Sequence, residues 1–417
     1  MSTVVIQVGQ CGNQLGLEWW RHIASDPGQS RDRCPFSSRD GKLAAVFIDS
    51  EPKVLQGAKQ FLKNKVLDSS IVLAQGGRGS NWAYGYNGHW HEESNGLLHR
   101  AIEAVRRAAE RTDYYGGVML LHSLSGGTGS GLGSRLCEEI RDTFPAGHIL
   151  TVSVAPHQSG ESPLQNYNSL LSLASLHRSA DGLLLFHNDK ALTFAQTLER
   201  VPRSTESLSP VMPTVGSLTV MNTHIASCMA GLLLPVESLT PTSLGSEPWE
   251  LIRSVCPIPA AKLLHTTQAY SSVRTQWDRL ATSSLQSVPQ LSSTGKPYSS
   301  RAVLAVARGN NDNSFRLSNV LEKLRKGHRC VSWNPFPIDH WADTNNRLGD
   351  SPSSRLLTVC SNHSSVSSLL DHVVQRSKEM LRVKAYLHWY QRYGVEELDF
   401  ELALETCSAI IQEYGCQ

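Results

Sequence analysis

Short apolar runs recur through the first half of the chain, each followed by a polar stretch and then by apolar residues at helical spacing. Residues 4–8, 44–48, 117–121, 149–156 and 182–186 are such runs and read as buried strands. Leu15, Trp19, His22 and Ile23 mark a helix after the first, and Leu132, Leu136 and Ile140 mark one after the third. A further helix is predicted over 96–111. Strand, polar loop and helix therefore alternate at least five times before residue 190. That alternation predicts an α/β fold with an open, mostly parallel sheet, whose ligand lies along the carboxyl ends of the strands.

The pattern then changes. Residues 201–213 form a Ser/Pro-rich link, and Leu218, Met221, Asn222, Ile225, Met229 and Leu233 predict a long helix after it. A short helix begins near Glu247 and ends at 256–259. A second α/β region spans about 263–357, with strands at 302–307 and 356–360 and a Ser-rich loop over 283–300. Helices are predicted at 364–389 and 396–414. The last 23 residues hold six acids and no Lys or Arg, but their apolar positions keep helical spacing, so they read as a packed amphipathic helix. The expected division is 1–200, a core helix over 214–236, an intermediate α/β part over 237–362 and a helical region over 363–417.

With 417 residues, 40% of them hydrophobic, the chain is long enough for two or three cores. A formal net charge of +2 shows no general preference for nucleic acid or an anionic membrane. Nine cysteines without a C-x-x-C pair fit a reducing compartment better than a disulfide frame or zinc site. No run approaches the roughly 18 apolar residues of a spanning helix, and the first residues lack a signal peptide's basic start. A soluble intracellular protein is expected.

The candidate chemistry centres on Leu121-His-Ser-Leu-Ser-Gly-Gly-Thr-Gly-Ser-Gly-Leu-Gly-Ser-Arg135, a Gly-rich turn between a strand and a helix. Such a turn aims backbone N–H groups and a positive helix end at an anion. Gly126, Gly127, Gly129 and Gly131 allow positive φ and leave no Cβ in a phosphate's way, and Thr128 and Ser130 offer hydroxyls. A P-loop is excluded, since no Lys occurs between Lys65 and Lys190. The dinucleotide fingerprint is excluded because it belongs in the first βα turn. Gly9-Gln10-Cys11-Gly12-Asn13-Gln14 gives a second close-approach loop, and Asp49 and Glu51 at a strand tip can reach a hydrated Mg²⁺ on phosphates. His89 and His91 invite a metal reading, but no third ligand has helical spacing to them, which favours helix-start packing. Asn222 reads either as a satisfied core amide or as a contact to a base.

The Gly9-Gln-Cys-Gly-Asn-Gln14 and Ser125-Gly-Gly-Thr-Gly-Ser-Gly131 motifs resemble the first nucleotide loop and the signature loop of the tubulin family, with Ser125 where the family usually has Gly. The likeness runs from Val4 to a terminal helical part containing His388-Trp-Tyr390 and Gly394-Val-Glu-Glu. Asn81-Trp-Ala-Tyr-Gly-Tyr86, His91-Glu-Glu-Ser94, Gln165-Asn-Tyr-Asn-Ser169, the Leu-rich strand before Asn188-Asp189 and the lack of an acidic tail look most like the delta type.

The resemblance implies a bound GTP or GDP with Mg²⁺. Gln10 and Cys11 would lie against phosphate and base, and Asp49 and Glu51 near the metal. Ser123 and the stretch Ser125, Gly126, Gly127, Thr128, Gly129, Ser130 and Gly131 would cradle the phosphates, with Asn81 near the terminal one. Glu161 and Gln165 would flank the ribose; Asn188 and Asn222 would read the guanine edge. Leu218 stands where alpha- and beta-tubulin stack an aromatic on the base. Glu250 falls on the acidic position that in tubulins serves hydrolysis on the next subunit, and as a helix-start acid it also has a plain structural reading. The segment between Asn13 and Asp49 is shorter than tubulins usually show.

The expected function is a GTP-binding cytoskeletal protein of the cytoplasm, placed at the centrosome and centriole, basal body and cilium, as a component or assembly factor of specialised microtubules. Its expected partners are other tubulins (epsilon, alpha or beta type) and centriolar microtubule proteins, with neither nucleic acid nor membrane. Hydrolysis is expected only on assembly. The rivals are a tubulin-fold scaffold that binds nucleotide weakly and an NAD(P)-dependent oxidoreductase on the same sheet edge.

Overall fold

The computed structural model describes residues 2–24, 34–88, 96–158, 160, 162–199, 213–236, 245, 247–317, 319–349 and 353–415. The chain opens with β1 (Ser2–Val8) and α1 (Gly9–Ala24), then β2 (Ala45–Asp49), α2 (Lys53–Leu62), β3 (Ile71–Leu73), α3 (Trp82–Asn87) and α4 (Leu97–Glu110). The signature loop lies between β4 (Tyr115–Ser123) and α5 (Gly133–Thr143), and is followed by β5 (His148–Ala155), α6 (Gln165–Ser179), β6 (Gly182–His187) and α7 (Asn188–Glu199). After α8 (Pro213–Leu233) and α9 (Glu250–Val255) come β7 (Leu263–Ser271), α10 (Trp277–Gln286), β8 (Ser300–Arg308), α11 (Ser314–Leu317), α12 (Val320–Gly327), β9 (Ile338–Asp343) and β10 (Arg355–His363). Three helices end the chain: α13 (Ser367–Arg382), α14 (Leu387–Gln391) and α15 (Glu397–Gly415).

All ten strands join one sheet in the order β3-β2-β1-β4-β5-β6-β7-β10-β8-β9. Seven of its nine pairings are parallel, and β10 is antiparallel to both β7 and β8. The two α/β parts thus share a sheet, joined through three register pairs, Leu183 with Leu263 to Leu185 with His265.

Burial on both faces explains why the strands read as unbroken apolar runs. Val4, Ile6 and Val8 of β1 point into a core formed with α4, α5, α6, α13 and α15. Val5 points the other way, into a core that includes Leu15 and Trp19 of α1, Ile225 and Met229 of α8, and Leu251 of α9. A third core packs Trp277 and Leu280 of α10 and Leu324 of α12 on Val303 and Leu357. Arg308 and Asp343 form a buried ion pair at 3.0 Å. Arg308 Nε also donates to Gly231 O at 3.1 Å, which ties the second half of the sheet to the end of α8.

Several expectations need correction. No polar loop follows the first strand or the strand at 182–186, because α1 and α7 start directly at Gly9 and Asn188. The helix expected over 364–389 is broken: Lys384 and Tyr386 adopt φ of 50° and 58°, left-handed values that end α13 and begin α14. The expected loop over 283–300 starts inside α10, where Ser284 Oγ lies 2.7 Å from Thr267 Oγ1. The link at 201–213, apart from Pro213, and the His89/His91 pair lie outside the described residues.

Candidate functional site

The carboxyl ends of β1, β2, β4, β5 and β6 deliver the candidate residues to one edge of the sheet. Gly9, at φ 71°, lets β1 turn at once into α1; a Cβ there would sit 2.9 Å from Gly129 N, so the first loop and the signature loop touch through backbone. Ser50 Oγ, just past β2, is 2.6 Å from Thr128 Oγ1. Asn13, buried in the first turns of α1, donates to Ile48 O at 3.0 Å and Asp49 Oδ2 at 3.4 Å. These three contacts hold the first loop, the β2 tip and the signature loop as one piece.

The signature-loop glycines work differently from expectation. None of Gly126, Gly127, Gly129 and Gly131 has positive φ. Three of them admit neighbouring chain instead: a Cβ would lie 2.6 Å from Arg78 O at Gly127, 3.1 Å from Ser123 N at Gly129 and 2.1 Å from Trp82 O at Gly131. Gly126 alone of the four faces open space, so a phosphate's approach without a Cβ in the way depends on it. Ser130 Oγ is already committed, donating to Gly126 O. Ser123 Oγ accepts from the Ser125 N–H at 3.1 Å and lies 3.0 Å from Ser125 Oγ, which shapes the loop's entry.

Below the loop sits His122, fully buried, with Nδ1 3.0 Å from Gly129 O and Nε2 2.8 Å from Ser153 Oγ. Burial lowers its pKa to about 4, so it is neutral, and donation from Nδ1 to Gly129 leaves Nε2 to accept from Ser153.

Asp49 is buried, and desolvation raises its pKa despite bonds from the Glu51 N–H and Asn13. No Lys or Arg among the described residues pairs with it. Such a carboxylate suits a divalent cation, whose charge would offset the desolvation. Glu51 is exposed and leans on the loop over 74–81: a Cβ at Gly77 would be 2.4 Å from its Oε1.

The remaining candidates divide by whether their polar atoms are already used. Asn81 is the N-cap of α3, accepting from Ala83 N at 2.8 Å, and its Nδ2 donates to Trp389 O at 2.9 Å. Both ends of its amide are occupied, so its side chain serves the fold. Gln165, also buried, donates to His157 O at 2.9 Å, while His157 Nδ1 is 2.8 Å from Asp189, so the loop after β5 is tied to the start of α7. Asn188 opens α7 and Asn222 lies half-buried on α8; neither amide bonds another described residue. Gln10 is exposed. Cys11 is half-buried, its thiol pushed up to about 12 by burial and so unreactive. Leu218 is 55% exposed. Glu161 lies outside the described residues. Among the described residues no group of three metal-ligating side chains is assembled.

Glu250 stands apart from this edge. It begins α9, and its carboxylate accepts from the Gly245 N–H. Trp249 stacks on His148, the first residue of β5, with ring centroids 5.4 Å apart, and a Cβ at Gly182, the first of β6, would be 3.5 Å from Ile252. The start of α9 therefore lies at the amino ends of the strands, the length of β5 (roughly 25 Å) from the signature loop.

Asn168 is the residue that the sequence reading passed over. Its Nδ2 donates to Ser80 O and Ser125 O, both at 2.7 Å. Its Oδ1 accepts from Trp82 N at 2.9 Å and Tyr390 Oη at 2.7 Å. It stood in the 165–169 likeness without an assigned role; what marks it is a buried amide, which has to find partners.

Residues 2–196 match the model of the Tubulin/FtsZ family, GTPase domain. The chain is 26% identical to the tubulin delta chain of Homo sapiens, with 99% of each chain covered. It is 26% identical to the tubulin beta chain of Trichophyton rubrum (99% of this chain, 94% of the relative) and 27% identical to that of Aspergillus fumigatus (99% and 93%).

Proposed function

We propose, from the match of residues 2–196 to the Tubulin/FtsZ GTPase-domain model and the full-length likeness to tubulin chains, that the protein binds GTP or GDP at the carboxyl edge of its parallel strands and works head to tail with another tubulin. In this reading Ser123, Ser125 and the loop from Gly126 to Gly131 cradle the phosphates beside Gln10 and Cys11. Gln165, with Glu161, flanks the ribose, and the amides of Asn188 and Asn222, which bond no other described residue, read the base. Asp49, with Glu51, would hold Mg²⁺, which neutralises charge on the phosphate oxygens. Asn81 shapes the loop beside the terminal phosphate through its cap on α3.

The observation that carries the head-to-tail reading is the position of Glu250. It sits at the strands' amino ends, roughly 25 Å from its own signature loop, beyond reach of a nucleotide there. Heterologous stacking sets the amino edge of one subunit on the carboxyl edge of the next. Glu250 would then exchange its bond to Gly245 for a water on the neighbour's terminal phosphate. A lone subunit would be nearly inert.

Similarity to delta chains supports the further proposal of a cytoplasmic, cytoskeletal protein at centrioles, basal bodies and cilia. Its partners there would be other tubulins and centriolar microtubule proteins. The exposure of Leu218, with no aromatic to stack on a base, supports a second reading, a scaffold that binds nucleotide weakly.

The first test is to denature the purified protein and identify what it releases. GTP or GDP near one per chain supports the main reading, an empty site supports the scaffold, and NAD overturns both. For Glu250→Ala, phosphate release stimulated by co-assembly should fall at least tenfold; unchanged release would sink the role in trans.

A further inference from the structure

Four loops follow the carboxyl ends of β2, β3, β4 and β5, over residues 50–52, 74–81, 124–132 and 156–164. Only the loop after β3 contains a Lys or Arg, and that residue is Arg78. The other three offer phosphate oxygens backbone N–H groups and hydroxyls, but no fixed positive charge.

Arg78 is buried and lies against the signature loop. A Cβ at Gly127 would be 2.6 Å from Arg78 O and 3.0 Å from Arg78 Cβ. Gly79 and Ser80 adopt φ of 54° and 50°, left-handed values that bring the Asn81 N–H back to Arg78 O at 3.0 Å. Asn168 holds Ser80 O from the other side at 2.7 Å. The backbone of Arg78 is therefore fixed next to Gly127, one residue from Gly126, the glycine on which a phosphate's approach depends.

The guanidinium lies over the Tyr84 ring, 4.7 Å from its centroid. Tyr84 stacks in turn on Tyr393, just past α14, with centroids 4.4 Å apart and planes at 10°. Tyr393 is tied to the end of α3 by Asn87 Nδ2, which donates to its carbonyl. Stacking covers a face of the guanidinium, whereas its N–H donors lie in the plane and point outward from the edge. The aromatic pair thus sets the plane of a fork suited to bidentate contact with phosphate. A lysine, with neither plane nor fork, could not be held in this way.

We propose that Arg78 is the residue by which this site tells a triphosphate from a diphosphate: its guanidinium, carried on the Tyr84–Tyr393 stack, pairs with the terminal phosphate of GTP. The proposal rests on the nucleotide reading and adds to it a charged contact that GDP cannot make. Tyr84 and Tyr393 are positioning residues, acting through Arg78.

The test uses the full chain freed of nucleotide. Dissociation constants of GDP and of β,γ-imido GTP, which resists hydrolysis, are measured with Mg²⁺ by calorimetry. The native protein should bind the triphosphate analogue at least tenfold more tightly than GDP. Arg78→Met should lose that preference while its affinity for GDP stays within twofold, and Tyr84→Leu should weaken the preference with GDP binding again unchanged. A native protein that binds both nucleotides without preference, or a preference that survives in Arg78→Met, overturns the role of Arg78 and leaves the nucleotide site standing. Equal losses for the two nucleotides do the same. A native protein that binds neither overturns the site itself, and the proposal with it. Should Arg78→Met fail to fold, a structure of the native protein with the analogue decides: Arg78 within hydrogen-bond distance of the terminal phosphate is expected, and a guanidinium turned away from it overturns the proposal.

Discussion

Tyr390 donates its hydroxyl proton to Asn168 at 2.7 Å, across 222 positions of sequence. Through that bond α14 reaches the amide that also holds the carbonyls of Ser80 and Ser125. The candidate phosphate loops are thus anchored to the C-terminal helices, which also hold Asn81 through Trp389 O.

Asn168→Ala removes four hydrogen bonds, stranding the buried Trp82 N–H and leaving the part-buried carbonyls of Ser80 and Ser125 without their donor, at a cost of roughly 1–3 kcal/mol per orphaned group before relaxation. A net loss of about 3 kcal/mol is expected in urea unfolding, with weaker nucleotide retention. Tyr390→Phe strands nothing, since Asn168 Oδ1 keeps Trp82 N, and should cost about 1 kcal/mol or less. Equal losses in the two variants would contradict the hub role of Asn168.

The signature-loop glycines should separate into two kinds. Gly131→Ala sets a methyl against Trp82 O and should lower the thermal midpoint by several degrees. Gly126→Ala meets nothing within 4 Å, so the fold should keep its midpoint while GTP retention drops at least tenfold. Calorimetry with filter binding checks both. A destabilised Gly126→Ala, or one that binds GTP normally, would remove Gly126 from the site.

Asp49 carries a pH signature. Its folded pKa lies above its unfolded value, so its contribution to stability is greatest below the unfolded pKa and is lost as pH rises through the folded one. At neutral pH the ionised carboxylate destabilises the ligand-free protein. Asp49→Asn should therefore raise the ligand-free midpoint and abolish any increment from Mg²⁺ with nucleotide. A lower midpoint would show that Asn13 and Glu51 N–H already compensate the charge.

Acid should act the other way on the buried imidazoles. His122, His187, His224 and His328 are held near 4 by burial, and His363 near 3. Their neutral forms contribute stability that is complete above the unfolded value of 6.5 and is lost as pH falls toward 4. Each group adds up to about 1.4 kcal/mol per pH unit in that window. Urea midpoints from pH 7 to 4 should fall steeply, and His122→Gln should flatten the curve by up to one proton's worth. An unchanged slope would mean that His122 is protonated in the fold.

The central strands and the signature loop were legible because their signals are local: apolar runs buried on both faces, and Gly and Ser packed into one turn. Three strands are missing from the sequence reading: β7, where His265, Thr266, Thr267 and Gln268 break the apolar run, and β3 and β9, which are the sheet's two edges. β3 has three residues, and β9 reads Ile-Asp-His-Trp-Ala-Asp. Brevity and charge protect an open edge, and they also erase the pattern that reveals a strand. The signature-loop glycines were assigned the wrong reason because the chain that crowds them, Arg78 and Trp82, lies about fifty residues away. Asn168 was missed for the same cause: its partners come from loops near 80 and 125 and from Tyr390, and spacing within the sequence cannot bring them together.

The sheet is narrow where its two halves meet. β5 and β6 share six register pairs and β7 and β10 share seven, but β6 and β7 share three. In the proposed stack of subunits, force passing from one half of the sheet to the other would concentrate on these three rungs. α8, bound to the far side through Arg308, would then be the strut that limits how far a crease there opens.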